Sequence, residues 1–351
     1  MNAINTAASQ GWGMPLVSVC IPTYNAALTI QETLASILGQ TYLNLVVHVS
    51  DNASTDETLN IVESFKDPRV TIHRHEFNIG GEGNFNRCIQ FAEGEYSAIF
   101  HADDVYEPNM VATQIRCLEE NTQVATVFTE AKTIDANGVV TGLVGKSFNG
   151  DNNLDLYDFV TLFKSILKRG NFVVCPSAMF RTDVLKNEIQ RWRGDLFKSS
   201  ADLDVWLRVS SKHYVAFLKQ PLMKYRVDNK QFSNQVRLRT TRADFFLVLD
   251  YYLELPKVKL MLTDADFKNY LQLIYNDKFW RALNLFMMGN VSHSKQLMRD
   301  ALSFDIVKEG IKSRRVFFTL VASLILRFMI WLNINNVGTR VIKMLRNKVR
   351  K

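Results

Sequence analysis

The stretch VSVCIPTYN at residues 17–25 decides the fold of this chain. Its first half is a run of apolar and β-branched residues typical of a buried strand, and the Pro, Asn and Tyr that follow are typical of a polar turn. The same pattern recurs in LVVHVSDNASTD at residues 45–56 and in SAIFHADD at residues 97–104. We therefore expect three buried strands, each followed at its carboxyl end by polar side chains.

Segments with helical spacing separate these strands. The spacing of apolar residues predicts helices over 28–38, 58–65, 85–92 and 108–120, and two further strands over 70–73 and 124–128. Such alternation is typical of an α/β fold in which a mainly parallel sheet is flanked by helices on both faces. In folds of this class, ligands bind beyond the carboxyl ends of the strands.

The polar residues at the predicted strand ends suit a nucleotide with a metal-bound diphosphate. The ring of Tyr24 can stack on a base, and Asp51 can accept hydrogen bonds from that base. The pair Asp103-Asp104 offers the oxygen ligands that a divalent cation prefers. Simpler interpretations stay open, because residues 54–56 (Ser-Thr-Asp) are of the type that caps a helix and an Asp-Asp pair in a loop is commonly a solvated turn.

The net charge of +7 is concentrated at the end of the 351-residue chain. Residues 312–351 hold ten Lys and Arg and no Asp or Glu, whereas the other residues carry 32 basic and 35 acidic side chains. The body is therefore slightly acidic, which argues against a nucleic-acid-binding protein. The four cysteines are far apart and lack metal-ligand spacing, so we expect buried free thiols.

A series of ordered blocks resembles the family 2 glycosyltransferases. These enzymes have the GT-A fold and transfer a sugar from a nucleotide-sugar with inversion at the anomeric carbon. The matching blocks lie at residues 17–25, 49–56, 78–86, 94–108, 175–181, 202–208 and 221–226. Because the blocks keep their order over more than 200 residues, the resemblance is much more specific than any single motif.

The resemblance implies roles for individual residues. Asp202 corresponds to the general base, and Asp103 corresponds to the acid that binds Mn²⁺ or Mg²⁺ on the donor diphosphate, with Asp104 assisting. The donor would be a UDP-sugar. Tyr24 would lie against its base, and Asp51 would form a hydrogen bond with that base. The residues that the resemblance places around the donor are Pro22, Tyr24, Asn25, Asp51, Asn78, Gly80, Asn86, His101, Ala102 and Arg226.

Three positions depart from the family pattern. His101 replaces the first acid of the Asp-x-Asp element; it could contact ribose or phosphate but is a weaker ligand than a carboxylate for a hard cation. Ala201 stands where many relatives have an acid directly before the general base. Asp204 is expected to be an orienting or capping residue. Asp228 replaces a histidine, so contacts to the donor phosphates would fall to Arg226, Lys230 or Arg237.

The organisation that we predict has four parts. Residues 1–14 form a flexible N-terminus, and residues 15–240 form the GT-A domain, with a nucleotide-sugar half up to 130 and an acceptor half from 131. A helical extension follows over 241–310 and a basic amphipathic tail over 311–351. In the acceptor half Phe172–Phe180 is predicted to be a strand, and Trp192 and Trp206 either line the acceptor pocket or are buried.

The tail indicates attachment to a membrane. The apolar stretch Val316–Ile334 is interrupted by Arg327, and residues 337–349 form an amphipathic helix with basic flanks. We expect peripheral or monotopic binding to an anionic membrane at the cytoplasmic face of the inner membrane, with spanning or packing on the domain as alternatives. The expected acceptor is then a polyprenyl-diphosphate-linked glycan or another membrane-linked glycan of a surface-polysaccharide pathway.

Two other functions stay open at this point. A membrane-bound scaffold that kept the fold and lost activity would explain His101 and Ala201, although Asp51, Asp103 and Asp202 argue against it. A sugar-nucleotide pyrophosphorylase would share the alternating architecture, but it needs a Gly-rich basic loop that residues 22–27 lack.

Overall fold

The computed structural model describes residues 13–146, 153–227, 238–299 and 314–332. These residues divide into two compact units. The first comprises described residues up to 163 together with 171–227, and the second comprises 164–170 and the described residues from 238 onward. The predicted boundary at residue 240 falls close to this division, and the predicted N-terminal and 337–349 segments lie largely or wholly outside the described residues.

The first unit is built on a ten-stranded mixed sheet. Its central order is β3-β2-β1-β4-β9-β6-β10-β5, with β7 paired to β6 and β8 paired to β10. The strands are β1 Val17–Thr23, β2 Leu45–Asp51, β3 Val70–Arg74, β4 Tyr96–Ile99, β5 Val105–Tyr106, β6 Val124–Ile134, β7 Val140–Val144, β8 Leu154–Tyr157, β9 Met179–Arg181 and β10 Tyr214–Arg226.

Parallel pairing in the N-terminal half brings the predicted strand ends to one edge. Strand β1 pairs in parallel with both β2 and β4, and Thr23 lies opposite Asp51 in the β1–β2 register. The backbone N–H of Phe100 donates to the carbonyl of Cys20, so the residues after β4 emerge beside the end of β1. The expectation that three strands deliver their polar residues to one edge is therefore confirmed.

The other half of the sheet departs from the predicted parallel pattern. Strand β9 pairs antiparallel with both β4 and β6, and β10 is parallel to β6 but antiparallel to β5 and β8. The prediction of a strand over Phe172–Phe180 is largely wrong. A 3₁₀ turn at Cys175–Ser177, which contains Pro176, precedes the short strand β9. Proline cannot donate to a ladder and interrupts the apolar run.

The four helices predicted between residues 28 and 120 are all present with bounds close to those predicted, and further helices follow. The helix α3 begins at Gly80, five residues before the predicted start, because three glycines mask the helical pattern of its first turn. The bounds are α1 Ile30–Leu38, α2 Thr58–Ser64, α3 Gly80–Phe91, α4 Met110–Glu120, α5 Phe159–Arg169, α6 Gly194–Phe197 and α7 Ala201–Ser210, with a π-helix at Val184–Ile189 and a 3₁₀ turn at Lys198–Ser200.

The second unit is helical, as predicted. Its helices are α8 Phe245–Glu254, α9 Pro256–Lys259, α10 Asp264–Met287, α11 Val291–Arg299 and α12 Arg314–Trp331. Its apolar core joins α10, α11 and α12 through Tyr275, Phe286, Met298 and Leu326. Within the described part of the chain, no helix is both long and apolar enough to cross a membrane.

Candidate active site

The end of β1 and the end of β2 form one side of the site. Tyr24 projects from the turn after β1 with 49% of its surface exposed, whereas Asp51, the last residue of β2, is fully buried. Asp51 accepts a hydrogen bond from the Ser54 backbone N–H through Oδ2 (3.1 Å). Its Oδ1 has no hydrogen-bond partner among the described residues, which leaves an acceptor for a ligand beside an exposed aromatic ring.

The turn around Tyr24 is fixed by the loop after β2. Asn25 has a positive φ of 48°; its backbone N–H donates to Ser54 Oγ (2.9 Å), and its Oδ1 accepts the Thr55 N–H (2.8 Å). Asp56 accepts the backbone N–H groups of Ala27 and Thr58. Residues 54–56 thus bond to the turn after β1, whereas the following helix has Glu57 at its N-cap position and no side-chain cap hydrogen bond. The expectation that residues 54–56 cap this helix is not met, and the amide oxygen of Asn25 holds the turn.

Asn84, which sequence analysis did not single out, joins the two strand ends. The buried Asn84 donates through Nδ2 to the backbone carbonyls of Ser50 (2.9 Å) and Thr23 (3.4 Å), the residues that precede Asp51 and Tyr24. Its Oδ1 accepts the Ser50 hydroxyl (2.6 Å). The signal that could have revealed Asn84 is an amide on a glycine-rich helix turn that follows a strand.

His75 belongs to the same hydrogen-bond network as Asn84, because both contact the Ser50 hydroxyl. Because Ser50 Oγ donates to Asn84, it can only accept from His75 Nε2 (3.1 Å), while His75 Nδ1 accepts from Arg87 Nη1 (2.6 Å). This pattern assigns the neutral Nε2–H tautomer to His75. Burial, followed by the positive charge of Arg87, lowers the pKa of His75 and favours that neutral form.

The predicted loop residues Asn78, Gly80 and Asn86 mainly bond to protein groups. Asn78 Oδ1 accepts the Gly80 N–H (2.8 Å) and Asn52 Nδ2 (2.9 Å), which pins the start of α3 to the end of β2. The Asn86 amide faces Trp192 instead, donating to its carbonyl (3.2 Å) and accepting its N–H (2.7 Å). The structure therefore places Asn78 and Gly80 beside the β2 loop and directs the Asn86 amide to the backbone of Trp192.

The loop after β4 brings together three possible metal ligands. We call residues 101–104 the metal loop. Ligand atoms of His101, Asp103 and Asp104 all lie within 4.8 Å of one another. Asp104 is fully buried, and burial followed by the negative charge of Asp103 raises its pKa well above the usual range. Asp104 Oδ2 and His101 Nε2 are buried without a hydrogen-bond partner in the described structure. Burial lowers the pKa of His101, which favours the neutral imidazole that a metal requires.

Two predicted donor residues of this edge take part through the backbone. The Ala102 carbonyl accepts the Thr29 hydroxyl (2.9 Å), which ties the loop after β4 to the segment before α1. Pro22 lies opposite Ser50 in the β1–β2 register. Both residues therefore lie at the edge where Tyr24 and Asp51 meet.

Arg226 closes this loop from the end of β10 and is buried. Its backbone N–H donates to Asp104 Oδ1 (2.8 Å), and its Nε donates to the Asp103 carbonyl (2.8 Å). Its Nη2 pairs with Glu32 (2.6 Å), and its Nη1 donates to the carbonyls of residues 135 and 136. The guanidinium thus holds the metal loop in place. The alternatives Lys230 and Arg237 lie outside the described residues.

The predicted general base lies in the first turn of helix α7. Asp202 accepts the Leu203 N–H through Oδ1 (2.7 Å), and burial raises the pKa of its carboxyl from 3.8 to about 6. The pKa of the Cys175 thiol is also raised, first by burial and then by the negative charges of Asp202 and Asp104. The charges of Asp202 and Asp104 therefore both act on the same thiol.

Asp204 and the two tryptophans are structural. Asp204 is fully buried and forms ion pairs with Arg193 and Arg208, which agrees with its predicted orienting role. Trp206 is fully buried and packs edge to face on Phe128. Trp192 is buried as well, so the interpretation of these indoles as core residues is confirmed.

Comparison with known proteins agrees with this architecture. Residues 18–188 match the sequence model of Glycosyl transferase family 2. These residues therefore form a family 2 glycosyltransferase domain. The match covers the strand edge with Tyr24 and Asp51 and the metal loop, whereas Asp202 lies beyond it.

Individual glycosyltransferases are also similar to this chain. An uncharacterized glycosyltransferase of Methanocaldococcus jannaschii is 29% identical over 221 residues, which cover 62% of this chain and 72% of the relative. The UDP-Glc:alpha-D-GlcNAc-diphosphoundecaprenol beta-1,3-glucosyltransferase WfaP of Escherichia coli is 35% identical over 106 residues, covering 30% of this chain and 42% of WfaP. The similarity to WfaP therefore covers less than half of either protein.

A solved structure supports the GT-A fold. The crystal structure of S. aureus TarS 1-349 in complex with UDP-GlcNAc superimposes with a TM-score of 0.57 and 16% sequence identity, covering 90% of both chains. At this identity the similarity establishes the fold alone. The mixed α/β class and the GT-A fold expected from the sequence are thus confirmed.

Proposed function

We propose that this enzyme is an inverting glycosyltransferase that moves a sugar from a UDP-sugar to a hydroxyl of a membrane-linked glycan. The observation that carries the proposal is an acceptor at Asp51, unpartnered among the described residues, and a metal-ligand cluster at residues 101–104 on the same strand edge, together with the Asp202 carboxylate, whose charge, like that of Asp104, raises the pKa of Cys175. A base site, a diphosphate site and a proton acceptor are the three parts that inverting transfer requires.

The donor is bound by its base and its diphosphate. The exposed Tyr24 ring offers a stacking surface, and Asp51 Oδ1 offers an acceptor for an N–H of the uracil base. Asp103 and Asp104 would hold a divalent Mn²⁺ or Mg²⁺. The buried Oδ2 of Asp104, which is unpartnered within the described part of the chain, and the clustering of the two carboxylates fit such an ion. When bound, the cation supplies positive charge to the departing diphosphate.

Asp202 takes the acceptor proton in a single displacement. The acceptor hydroxyl oxygen attacks the anomeric carbon as the bond from that carbon to the diphosphate oxygen breaks, and the hydroxyl proton passes to Asp202. A carboxyl with a pKa of about 6 is mostly ionised at neutral pH and is a stronger base than an ordinary aspartate. The configuration at the anomeric carbon is therefore inverted.

The acceptor class follows from the relatives and from the tail. WfaP is named for transfer from UDP-Glc to a diphosphoundecaprenol-linked GlcNAc. We infer a polyprenyl-diphosphate-linked glycan as the acceptor here as well, in the assembly of a polysaccharide such as O-antigen, capsule or exopolysaccharide. Such an acceptor is anchored in a bilayer, so the enzyme must work at a membrane surface.

Helix α12 supports attachment to that surface. Its exposed apolar side chains share one face and span an arc of about 140° at 100° per residue. They are Phe317, Phe318, Val321, Leu324, Ile325, Phe328 and Trp331, and the exposed Leu332 directly follows the helix. Arg327, which interrupts the apolar stretch, lies outside this arc and donates to the Met298 carbonyl, so it does not interrupt this face.

The exposure of this apolar face and the positive charge of the tail together favour an anionic membrane as its partner. Phe318 and Trp331 are 68% and 77% exposed, and residues 312–351, which include α12, hold ten Lys and Arg and no Asp or Glu. A broad apolar face with basic flanks is the pattern of a helix that lies in the membrane interface. We propose monotopic or peripheral attachment at the cytoplasmic face of the inner membrane.

Transfer is tested with purified full-length protein, a panel of UDP-sugars and a polyprenyl-diphosphate-linked GlcNAc acceptor. We expect Asp202→Asn to bind UDP nearly as well as the wild type and to lose turnover by about 10²–10⁴-fold, because a positioned base contributes that much. Asp195→Asn, which changes an exposed aspartate nearby, is the control. Turnover of Asp202→Asn within tenfold of wild type would exclude the base, and UDP binding without transfer of any sugar would favour a non-catalytic scaffold.

Membrane binding is tested by vesicle flotation with and without anionic lipid. We expect Phe318→Asp with Phe328→Asp to abolish flotation, because two charges would have to enter the apolar interface. Leu260→Asp is the matched control, since Leu260 is a highly exposed apolar residue outside α12. Unchanged flotation of the double variant would contradict a role for this face.

A further inference from the structure

We propose that His101 is a third ligand of the metal site and that it shifts the site's preference from Mg²⁺ toward Mn²⁺. This inference rests on the proposed function, because it concerns the cation of the nucleotide-diphosphate donor. It differs from the expectation that the imidazole contacts ribose or phosphate.

The positions of the ligand atoms support a three-ligand cluster. One ligand atom each from His101, Asp103 and Asp104 lies within 4.8 Å of the others, which brings all three within reach of one ion. No other group of three His, Cys, Asp or Glu side chains in the described residues has this arrangement. The imidazole therefore occupies the same small space as the two carboxylates.

Two orphaned polar atoms point to a missing partner. Asp104 is fully buried, and its Oδ2 has no hydrogen-bond partner in the described parts of the chain. His101 Nε2 is likewise buried and lacks one within the same residues. Buried polar atoms are rarely left unsatisfied, because each costs free energy that a hydrogen bond or a metal bond would recover. A single cation would satisfy both atoms.

The fold holds the imidazole in place. The His101 backbone N–H donates to Tyr106 Oη (2.8 Å), and Tyr106 stacks on Phe100 with ring centroids 4.0 Å apart. The imidazole ring lies edge to face with Phe85, with ring centroids 5.5 Å apart. A ring held by these contacts can present Nε2 to an ion without losing much side-chain entropy.

The donor set determines which cation fits. Mg²⁺ strongly prefers an all-oxygen shell, and losing a carboxylate to an imidazole weakens its binding. Mn²⁺ accepts carboxylate oxygen and imidazole nitrogen together, and affinity for nitrogen-containing sites rises from Mn²⁺ along the first-row series. A site with one nitrogen and two carboxylates should therefore favour Mn²⁺ over Mg²⁺ more than an all-carboxylate site does.

Two variants separate the ligand from its surroundings. His101→Phe keeps an aromatic ring against Phe85 and removes the nitrogen, and His101→Asp restores an oxygen ligand. His293→Phe, which changes an exposed histidine of the second unit, is the control. Calorimetry measures the affinity of the full chain for UDP with EDTA, with Mn²⁺ and with Mg²⁺. Pulsed electron paramagnetic resonance of bound Mn²⁺ detects a coordinated nitrogen.

We expect nitrogen modulation in the Mn²⁺ spectrum of the wild type and of His293→Phe, and none in His101→Phe. We also expect the ratio of Mn²⁺-supported to Mg²⁺-supported UDP affinity to fall about tenfold or more in His101→Asp, because a direct ligand matters at least as much as its supporting shell. Thermal unfolding of each variant confirms that it is folded.

Two results would overturn the inference. One is a wild-type spectrum without nitrogen modulation, which would leave His101 facing ribose or phosphate. The other is the same Mn²⁺-to-Mg²⁺ ratio in the wild type and His101→Asp. In either case, preserved UDP binding and sugar transfer would leave the proposed function standing, whereas failure to bind UDP under any condition would count against the proposed function itself.

Discussion

Replacing Asp202 by Asn should make the enzyme inactive and more stable at the same time. The fold holds this half-buried carboxyl where desolvation raises its pKa from 3.8 to about 6. The folded state therefore disfavours the charged form that catalysis needs. Asn has nearly the same shape, can still accept the Leu203 N–H, and has no charge to bury.

The size of the effect follows from proton linkage. Because the folded carboxyl holds its proton up to a higher pH than the unfolded one, the folded state binds more protons between pH 3.8 and about 6, and stability falls as the pH rises through this window. The full difference corresponds to about 3 kcal/mol above pH 6 and to roughly half of that at pH 5. Removing the carboxylate should recover that free energy.

Urea unfolding at pH 7.5 and pH 5, followed by tryptophan fluorescence, measures the gain, since the buried Trp192 and Trp206 report on the first unit. We expect Asp202→Asn to raise the free energy of unfolding by up to about 3 kcal/mol at pH 7.5 and by about half as much at pH 5. In the same pH range the wild-type kcat/KM should fall about tenfold for each pH unit below 6.

Asp56 provides a control of opposite sign. Burial acts to raise its pKa, but hydrogen bonds from Thr58 and Ala27 outweigh burial and lower the pKa. The carboxylate of Asp56 thus contributes stability that is present above its unfolded pKa and is lost as the pH falls. Asp56→Asn should therefore lower stability at pH 7.5. An Asp202→Asn protein no more stable than wild type, or equally stabilised at both pH values, would refute the reasoning.

Three further substitutions test the rest of the site. Tyr24→Ala should weaken UDP binding by about 1–3 kcal/mol in calorimetry with EDTA, whereas Tyr24→Phe should keep it, because stacking needs the ring and not the hydroxyl. Asn84→Asp loses the amide N–H groups that donate to the Thr23 and Ser50 carbonyls. UDP should therefore bind more weakly, and the free energy of unfolding should fall by about 1–3 kcal/mol. Unchanged UDP affinity would exclude a positioning role for Asn84. In Arg226→Lys the ammonium group cannot replace the forked guanidinium that holds the metal loop. The gain in UDP affinity on adding Mn²⁺ should therefore shrink, while UDP affinity in EDTA stays the same. An equal loss of UDP affinity in both conditions would contradict this role.

Much of the first half of the fold could be predicted from local pattern. Strands β1, β2 and β4 are short buried runs that end in polar residues, and a parallel strand needs no partner-specific signal beyond its apolar character. The antiparallel half was harder to predict, because β9 has three residues and β10 pairs with three different strands. Such pairings depend on contacts far apart in sequence, which periodicity does not encode.

The roles of the polar residues divide in the same way. A residue type in a strand-end loop indicates what chemistry is possible, as for Asp51 and Asp202. Whether its polar atoms are open depends on neighbours from elsewhere in the chain. Asn86 carries the same amide as Asn84, but Trp192, more than 100 residues later, takes both of its hydrogen bonds. Arg226 is likewise occupied by Glu32 and the metal loop.

The sequence by itself determined the fold class, the strand edge that forms the site, and the separation of a slightly acidic body from a basic tail, because these follow from apolar periodicity and charge counts. Only the tertiary structure decided which oxygens and nitrogens stay without a partner, that burial raises the pKa of Asp202 to about 6, and that Arg327 turns away from the apolar face of α12. These properties arise from desolvation and from hydrogen bonds between distant segments, and both exist only once the chain has packed.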